Sequence, residues 1–227
     1  MGRGKPLNRP RETRPEYRRF LIYCEGARTE EQYFVGLRRT ELSKLPVTVK
    51  VGSAHGEAIK LVREAVKHKE RAPTSRADRF TAYDEVWCVM DVEAPAPQPG
   101  LTQALETARR NNIEVALTNP CFELWLLLHF QDVTGYRTST ASQKLLERHT
   151  ECGYTPERKH LEYSSLKDRF AKAESRAQGL RGHHGSTHRN NPWTDVDLLI
   201  SKLLMERPDT RAQGRADSRS GRCRSAS

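Results

Sequence analysis

The stretch FLIYCEGARTEEQYFVGLRRT, residues 20–40, contains the pattern that decides the fold. Its first five residues, 20–24, are apolar and predict a buried β-strand, which Glu25-Gly26 ends with a glycine turn. A helix is predicted to follow at once, with Thr29 as its N-cap and Gln32 completing a capping box. A strand followed directly by a helix is the unit from which parallel α/β sheets are built.

The same alternation continues along the chain as far as residue 131. Further strands are predicted at residues 47–51, 85–90 and 113–117, and further helices at residues 57–70, 101–111 and 121–130. For the last helix, Asn119 is the expected N-cap and Pro120 the first helical residue. Repeated βα units favour right-handed crossovers and helices on both faces of the sheet. We therefore expect an α/β core over residues 19–131, with a mostly parallel sheet of about four strands flanked by helices.

The C-terminal part and the two chain ends have different patterns. After residue 132 strand-like runs disappear, and helices are predicted at residues 142–148, about 161–180 and 192–206. We expect residues 132–206 to form a helical extension packed on the core. Residues 1–18, a basic arm, and residues 207–227, an Arg/Ser-rich tail, have little to bury and are expected to be disordered.

The net charge of +10 suggests a nucleic-acid-binding surface until it is divided along the chain. Residues 1–19 hold seven Lys/Arg and two acids, and residues 206–227 hold six Arg and three acids, so the two ends carry most of the excess. The part between them is near neutral. A dedicated basic face is therefore not indicated, although the ends can add weak, salt-sensitive attraction to phosphates.

The sequence also indicates the cellular compartment in which the protein works. The longest strongly apolar stretch, residues 122–130, contains Glu123 and His129 and is far shorter than the roughly 20 residues that cross a bilayer, so no membrane span is expected. Residues 1–19 lack the apolar segment of a secretory signal. Three of the five cysteines lie in or beside apolar runs: Cys24, Cys88 and Cys121. Buried, unpaired cysteines indicate a reducing compartment, and we expect a soluble cytoplasmic protein.

Three acidic residues follow predicted strands at their carboxyl ends. Glu25 follows the first strand, and Asp91 and Glu93 follow the third. Parallel strands release their carboxyl ends at one edge of a sheet, where ligands collect, so these carboxylates are expected to converge. Clustered carboxylates repel one another unless a cation lies among them, and hard oxygen ligands suit Mg²⁺ or Mn²⁺. The alternative is that Asp91 and Glu93 are solvent-facing loop acids and Glu25 a turn residue.

A fourth acid, Glu123, lies one turn into the apolar helix predicted at residues 121–130, near the same edge. Its carboxylate is either a further metal ligand or a charge that offsets the positive end of that helix. The apolar residues after it, 124–128, fit the core better than a cofactor site. His129 fits a structural helix end better than a catalyst.

Ordered blocks of this sequence resemble the RloB-like family of bacterial phage-defence proteins. In chain order they are CEG (24–26), TEE (29–31), YF (33–34), VWCVMD (86–91) and NPCFELWLLLHF (119–130). The resemblance covers about residues 18–205. It implies a part in antiviral defence, from restriction-modification or abortive-infection loci, sometimes beside an ATPase partner. It also implies a core similar to a Toprim domain.

The similarity to Toprim domains implies a chemistry for the acidic residues. Those domains carry a Glu after their first strand and a D-x-D after a later one, and hold Mg²⁺ for cutting or joining phosphodiester bonds. By position, Glu25 matches the Glu, a candidate general acid/base, and Asp91 matches the first Asp. Glu93 stands where the pattern has its second Asp and reaches one methylene further, so the metal geometry would differ.

Two functions follow from this resemblance. The first is a Mg²⁺- or Mn²⁺-dependent nuclease acting on nucleic acid in abortive infection, with Glu25 and Asp91 catalytic and Glu25, Asp91, Glu93 and Glu123 as metal ligands. The alternative is a non-catalytic effector or sensor subunit that docks on an ATPase partner. The near-neutral central part of the chain and the Glu at position 93 favour the alternative.

Overall fold

A computed structural model of the chain describes residues 17–185 and 187–205. Within these ranges five β-strands form one sheet, and seven α-helices flank it. The strands are β1 (Arg18–Cys24), β2 (Val47–Val51), β3 (Glu85–Asp91), β4 (Glu114–Asn119) and β5 (Trp193–Thr194). The helices are α1 (Thr29–Arg39), α2 (Ala58–Arg71), α3 (Leu101–Arg110), α4 (Glu123–Leu128), α5 (Ser139–Glu147), α6 (Phe170–His184) and α7 (Val196–Leu204). The predicted tail, and the predicted arm except for residues 17 and 18, lie outside the described residues.

The sheet has the strand order β2-β1-β3-β4-β5. Strands β1 to β4 pair in parallel, as the βα alternation predicts, and β5 is antiparallel to β4. At the centre of the sheet Cys24 of β1 is in register with Val89 of β3. The Glu25 N–H donates to the Val89 carbonyl at 3.0 Å and so extends this ladder by one residue. Glu25, which follows β1, and Asp91, which ends β3, therefore lie side by side at the edge of the sheet.

Helices cover both faces of the sheet. Phe20, Ile22 and Cys24 of β1 pack into one apolar cluster with α1 and with α4 to α7, while Leu21 and Tyr23 pack into a second cluster with α2 and α3. A strand buried on both faces needs apolar residues at successive positions, which explains the continuous run 20–24. In this C-terminal part α7 packs on β4, α6 packs on β5 and α4, and α5 packs on α4.

Two predictions about the C-terminal part are wrong. The helix predicted at residues 192–206 starts only at Val196, because the first residues of that range form β5, and a strand of two residues is too short to show an alternating pattern. The helix predicted from residue 161 begins only at Phe170. The segment before it is held against α1 instead, since the Leu161 N–H donates to Gln32 Oε1 at 2.7 Å and the Tyr163 ring lies over Gly36.

Two predicted helix starts are also wrong. In each case a residue expected at the helix start forms a hydrogen bond with a distant part of the chain instead. Arg28, not Thr29, holds the N-cap position of α1, and Thr29 Oγ1 donates to the Lys159 carbonyl at 3.2 Å. The helix after β4 begins at Glu123 rather than at Pro120. The Pro120 carbonyl instead accepts a bond from the Glu93 N–H at 2.9 Å, which continues the sheet edge.

Other features of the described residues agree with the sequence predictions. Their four cysteines are all buried and unpaired: Cys24, Cys88, Cys121 and Cys152. None of the described helices is both long enough and apolar enough to cross a membrane. Residues 124–128 are fully buried, and His129 is buried with its Nδ1 3.0 Å from the Trp125 carbonyl. Burial lowers the pKa of His129 to about 4, which keeps it a neutral part of the core.

Candidate functional site

Four carboxylates lie together at the carboxyl edge of the sheet, and we call them the acid cluster. Glu25 follows β1, Asp91 ends β3, Glu30 lies in the first turn of α1 and Glu123 begins α4. This is the edge at which open parallel sheets collect ligands. The charges of Glu25, Glu30 and Glu123 all raise the pKa of Asp91, and those of Glu123 and Glu25 raise the pKa of Glu30.

The carboxylate of Glu25 is fixed by two hydrogen bonds to one of its oxygens. Its Oε2 accepts from the Asp91 N–H at 3.1 Å and from Gln98 Nε2 at 2.8 Å. Gln98 is buried, donates also to the Asp91 carbonyl, and accepts from the Ala58 N–H at the start of α2 at 3.4 Å. Burial raises the pKa of Glu25, and the bonds from Gln98 and Asp91 oppose that rise.

Asp91 is the most strongly perturbed member of the acid cluster. It retains partial solvent exposure, but it lies deep enough at the end of β3 for burial to raise its pKa well above the usual range. The charges of Glu30, Glu25 and Glu123 raise it further, while the Phe122 N–H opposes them. This carboxylate is therefore stable either with a proton or beside a cation.

Glu30 completes the acid cluster from the side of α1. It is only 7% exposed, and burial, followed by the charges of Glu123 and Glu25, raises its pKa to about 7. The Glu30 carboxylate lies directly over the backbone of Gly26, so a Cβ at that position would collide with it. The glycine turn after β1 thus leaves room for an acid as well as ending the strand.

Glu123 is tied to the C-terminal extension. It is 4% exposed, and its Oε1 accepts a hydrogen bond from the hydroxyl of buried Tyr154 at 2.6 Å. Burial and the Glu123 charge together raise the pKa of Tyr154, so this hydroxyl stays protonated and keeps donating. The bond holds the carboxylate at the start of α4 facing the other three acids.

The segment after Tyr154 forms one wall of the site. Arg28 Nη1 donates to the Arg158 carbonyl at 3.2 Å, and Thr29 Oγ1 donates to the Lys159 carbonyl, so this wall is attached to the start of α1. Lys159 is exposed, and its positive charge lowers the pKa of both Glu25 and Glu30. An ammonium group at the rim of an acidic site is well placed to meet a phosphate.

Glu93 is separated from the other three predicted ligands. It is exposed, its φ is +69°, and buried Val92 lies between it and Asp91. Its side chain lines a neighbouring cavity, although its charge still raises the pKa of Glu25. The structure therefore brings together Glu25, Asp91 and Glu123, and places Glu93 at the rim.

Sequence reasoning did not assign a role to Glu30, Gln98 or Tyr154. A signal for Glu30 exists, because the buried residues Tyr33, Phe34 and Leu37 follow it at the spacing of one helix face. That spacing places the Glu30 carboxylate on the inward side of α1. Gln98 and Tyr154 lie in irregular segments, where no periodic pattern indicates the direction of a side chain.

The donor chemistry of the acid cluster fits a hard divalent cation. All four groups are carboxylates, and burial together with the neighbouring negative charges raises the pKa of Glu25, Glu30 and Asp91. Among residues 17–185 and 187–205, no three His, Cys, Asp or Glu side chains are already arranged as a metal-ligand set. Binding of an ion would therefore require the carboxylates to shift towards a common centre.

Fold and site together define an α/β protein with a mostly parallel sheet and a buried acidic site at its carboxyl edge. The family model described as RloB-like protein matches residues 20–203, which is most of the chain, so the chain belongs to the RloB-like family. Membership supports a role related to phage defence. No curated protein and no solved structure matches the chain.

Proposed function

We propose that this protein is a metal-dependent nuclease of the Toprim type, which hydrolyses phosphodiester bonds of nucleic acid during abortive infection. The observation that carries the proposal is the acid cluster, in which Asp91 is surrounded by Glu25, Glu30 and Glu123. Burying carboxylates next to one another costs stability, and strongly perturbed acids at a ligand-binding edge are typical of functional sites.

Asp91, Glu30 and Glu123 are the side chains that would hold Mg²⁺ or Mn²⁺, and Glu25 and Glu93 would complete the set from the two sides. When bound, the ion would polarise the scissile phosphate and offset the charge on the leaving oxygen. Tyr154 keeps Glu123 aimed into the site, and Lys159 offers a positive charge to the incoming phosphate backbone.

Glu25 is the residue to exchange a proton with the attacking water. Gln98 and the Asp91 N–H both bind its Oε2, which orients the carboxylate and leaves Oε1 outside these two bonds. Its raised pKa makes it a stronger base than an ordinary glutamate. The buried amide of Gln98 is thus a positioning group for the base.

The proposal is tested by cleavage of labelled single- and double-stranded DNA and RNA in the presence of Mn²⁺. Asp91→Asn should reduce the cleavage rate by at least about a hundredfold, because it removes a central carboxylate of the acid cluster. Asp132→Asn is the matched control, since that carboxylate is exposed and lies outside the cluster. A folded Asp91→Asn variant that cuts at the wild-type rate would refute the proposal.

A non-catalytic effector or sensor subunit, docking on an ATPase partner, is the second candidate. Within the part of the chain that the structure describes, no three side chains are already arranged to hold a metal, and this favours the second candidate. On this account Asp91→Asn would still protect cells in a phage plaque assay. Leu198→Glu, on the exposed side of α7, would abolish protection because it changes an exposed helical face.

A further inference from the structure

A cavity of about 750 Å³ opens directly beside the acid cluster, and we call it the edge pocket. Its volume lies in the range of about 300–1,000 Å³ that is typical of sites for small ligands. Glu93 and Gln98 line it, and Gln98 is also the residue that binds Glu25 and the end of β3. A group held in the edge pocket would therefore be a direct neighbour of a group held at the acid cluster.

The two sides of the edge pocket differ in chemistry. The side formed by the loop before α3 and by α3 is largely apolar, with Val92, Leu101 and Leu105 among its residues. The opposite side carries Tyr136, which is 62% exposed, and Arg189, which is also exposed. An exposed aromatic ring and a guanidinium opposite an apolar wall can hold a flat ring with a charge attached to it.

The polar side of the edge pocket is held in place by side-chain amides. Asn191 accepts from the Arg137 N–H at 3.0 Å and donates to the Arg137 carbonyl at 2.8 Å, which fixes the residue next to Tyr136. Asn191 also donates to Asn119 Oδ1 at 3.0 Å, and Asn119 donates to the His188 carbonyl at 3.0 Å, which fixes the residue next to Arg189. This wall is therefore organised before any ligand arrives, which lowers the cost of binding.

Arg189 supplies the positive charge among the residues that line the edge pocket. Glu106 is paired with Arg110 at 3.5 Å, and Glu93 lies at the end nearest the acid cluster. Burial and the Arg189 charge both lower the pKa of His188, so its imidazole is neutral near pH 7 and can donate or accept a hydrogen bond.

We propose that the edge pocket binds one nucleotide of a single-stranded nucleic acid, adjoining the phosphate at the acid cluster. Tyr136 stacks on the base, Arg189 contacts the phosphate on the far side, and the imidazole of His188 offers a hydrogen bond to the edge of the base. A base can enter such a pocket only when it is unpaired, so the strand must be single or locally opened. The assignment to the substrate strand rests on the proposed nuclease function.

The test measures binding of fluorescently labelled 12-nucleotide single strands, DNA and RNA in separate arms, and of the 5′-mononucleotides. The protein carries Asp91→Asn so that no cutting occurs. Adding Tyr136→Ala should weaken single-strand binding about tenfold, whereas Tyr136→Trp retains it, because stacking needs an aromatic face. Arg189→Ala should weaken binding and reduce its salt dependence. Phe80→Ala is the matched control, since Phe80 is equally exposed, at 64%, and does not line the edge pocket.

The outcomes distinguish the proposal for the edge pocket from the proposed nuclease function. Loss of binding in Tyr136→Ala but not in Phe80→Ala supports the pocket even if no cleavage is found, and preference for one arm shows whether the strand is DNA or RNA. Unchanged binding when Tyr136→Ala is added, together with unchanged cleavage by Tyr136→Ala in a protein that keeps Asp91, would overturn the pocket and leave the nuclease proposal in place. Absence of binding to every strand and mononucleotide by the parent protein would also overturn it.

Discussion

Asp78 and the acid cluster are both buried acidic groups, and the molecule treats them in opposite ways. On the α2 side of the sheet, Asp78 is 2% exposed and accepts hydrogen bonds from Lys50 at 2.7 Å and from the Tyr83 hydroxyl at 2.6 Å. His68 Nε2 lies 3.2 Å from both of its oxygens. These donors hold the pKa of Asp78 well below its usual range, whereas the neighbours of Asp91 raise its pKa.

The contrast separates a structural acid from a functional one. Every donor around Asp78 stabilises its charged form, so this group can contribute to folding without any further partner. Asp91 and Glu30 in the acid cluster have the reverse arrangement, because burial and the charges of neighbouring carboxylates favour their neutral forms. Such a cluster costs folding free energy, and a ligand of opposite charge is the natural way to relieve that cost.

The largest expected effect is the loss of stability on removing Asp78, the acid whose charge is balanced by hydrogen-bond donors. Asp78→Ala should lower the free energy of unfolding by about 4 kcal/mol, because Tyr83 and His68 lose their buried acceptor. Urea unfolding measures this change, and Asp132→Ala, at an exposed ion pair, should change it by less than about 1 kcal/mol. If Asp78→Ala lowers the free energy of unfolding by less than about 1 kcal/mol, Asp78 is not the stabilising acid that the comparison requires.

The second effect is a pH dependence of opposite sign in the two regions. In metal-free buffer, folded Glu30 keeps its proton up to about pH 7, while the unfolded chain loses it near pH 4.5. The free energy of unfolding should therefore fall, by up to roughly 3 kcal/mol, as the pH rises through this window. Asp78 acts in the other direction, since its contribution is lost as the pH falls below 3.8.

Thermal melts between pH 4.5 and 7.5 measure the first of these slopes. Glu30→Gln should flatten the pH dependence, because a glutamine has no proton to release. Glu41→Gln is the control, since that residue lies at the far end of α1 and away from the acid cluster. Equal slopes for wild type and Glu30→Gln would show that folding does not raise the pKa of Glu30.

The smallest effect concerns the glycine beneath Glu30. Gly26→Ala should weaken Mn²⁺ binding about fivefold, equivalent to about 1 kcal/mol, because the new methyl group displaces the Glu30 carboxylate. Gly179→Ala is the matched control, as a methyl group there meets open space. Unchanged Mn²⁺ affinity in Gly26→Ala would place Glu30 outside the ligand set.

Most of the fold could be predicted because its core consists of long periodic elements. The apolar run 20–24 and the alternating helices indicate a parallel sheet covered on both faces, and the sheet has that arrangement. The misses are local, as at β5, which has two residues, and at Thr29, whose hydroxyl bonds the distant Lys159 carbonyl. Such contacts depend on partners far along the chain, which periodicity does not reveal.

The acid cluster was only partly predictable, for the same reason. Glu25 and Asp91 could be placed at one edge because parallel strands share a direction. The rim position of Glu93 depends on a positive φ and on a backbone bond to Pro120, neither of which has a sequence signal. Gln98 comes from a proline-rich loop whose path only the folded structure shows.

The most direct test of the account is titration calorimetry with Mg²⁺ and Mn²⁺ on wild type, Asp91→Asn and Asp132→Asn, each confirmed as folded by a thermal melt. The account predicts saturable binding in wild type and in Asp132→Asn, and its loss in Asp91→Asn, because Asp91 is at the centre of the acid cluster. Equal affinity in all three proteins, or no binding by folded wild type, would contradict it.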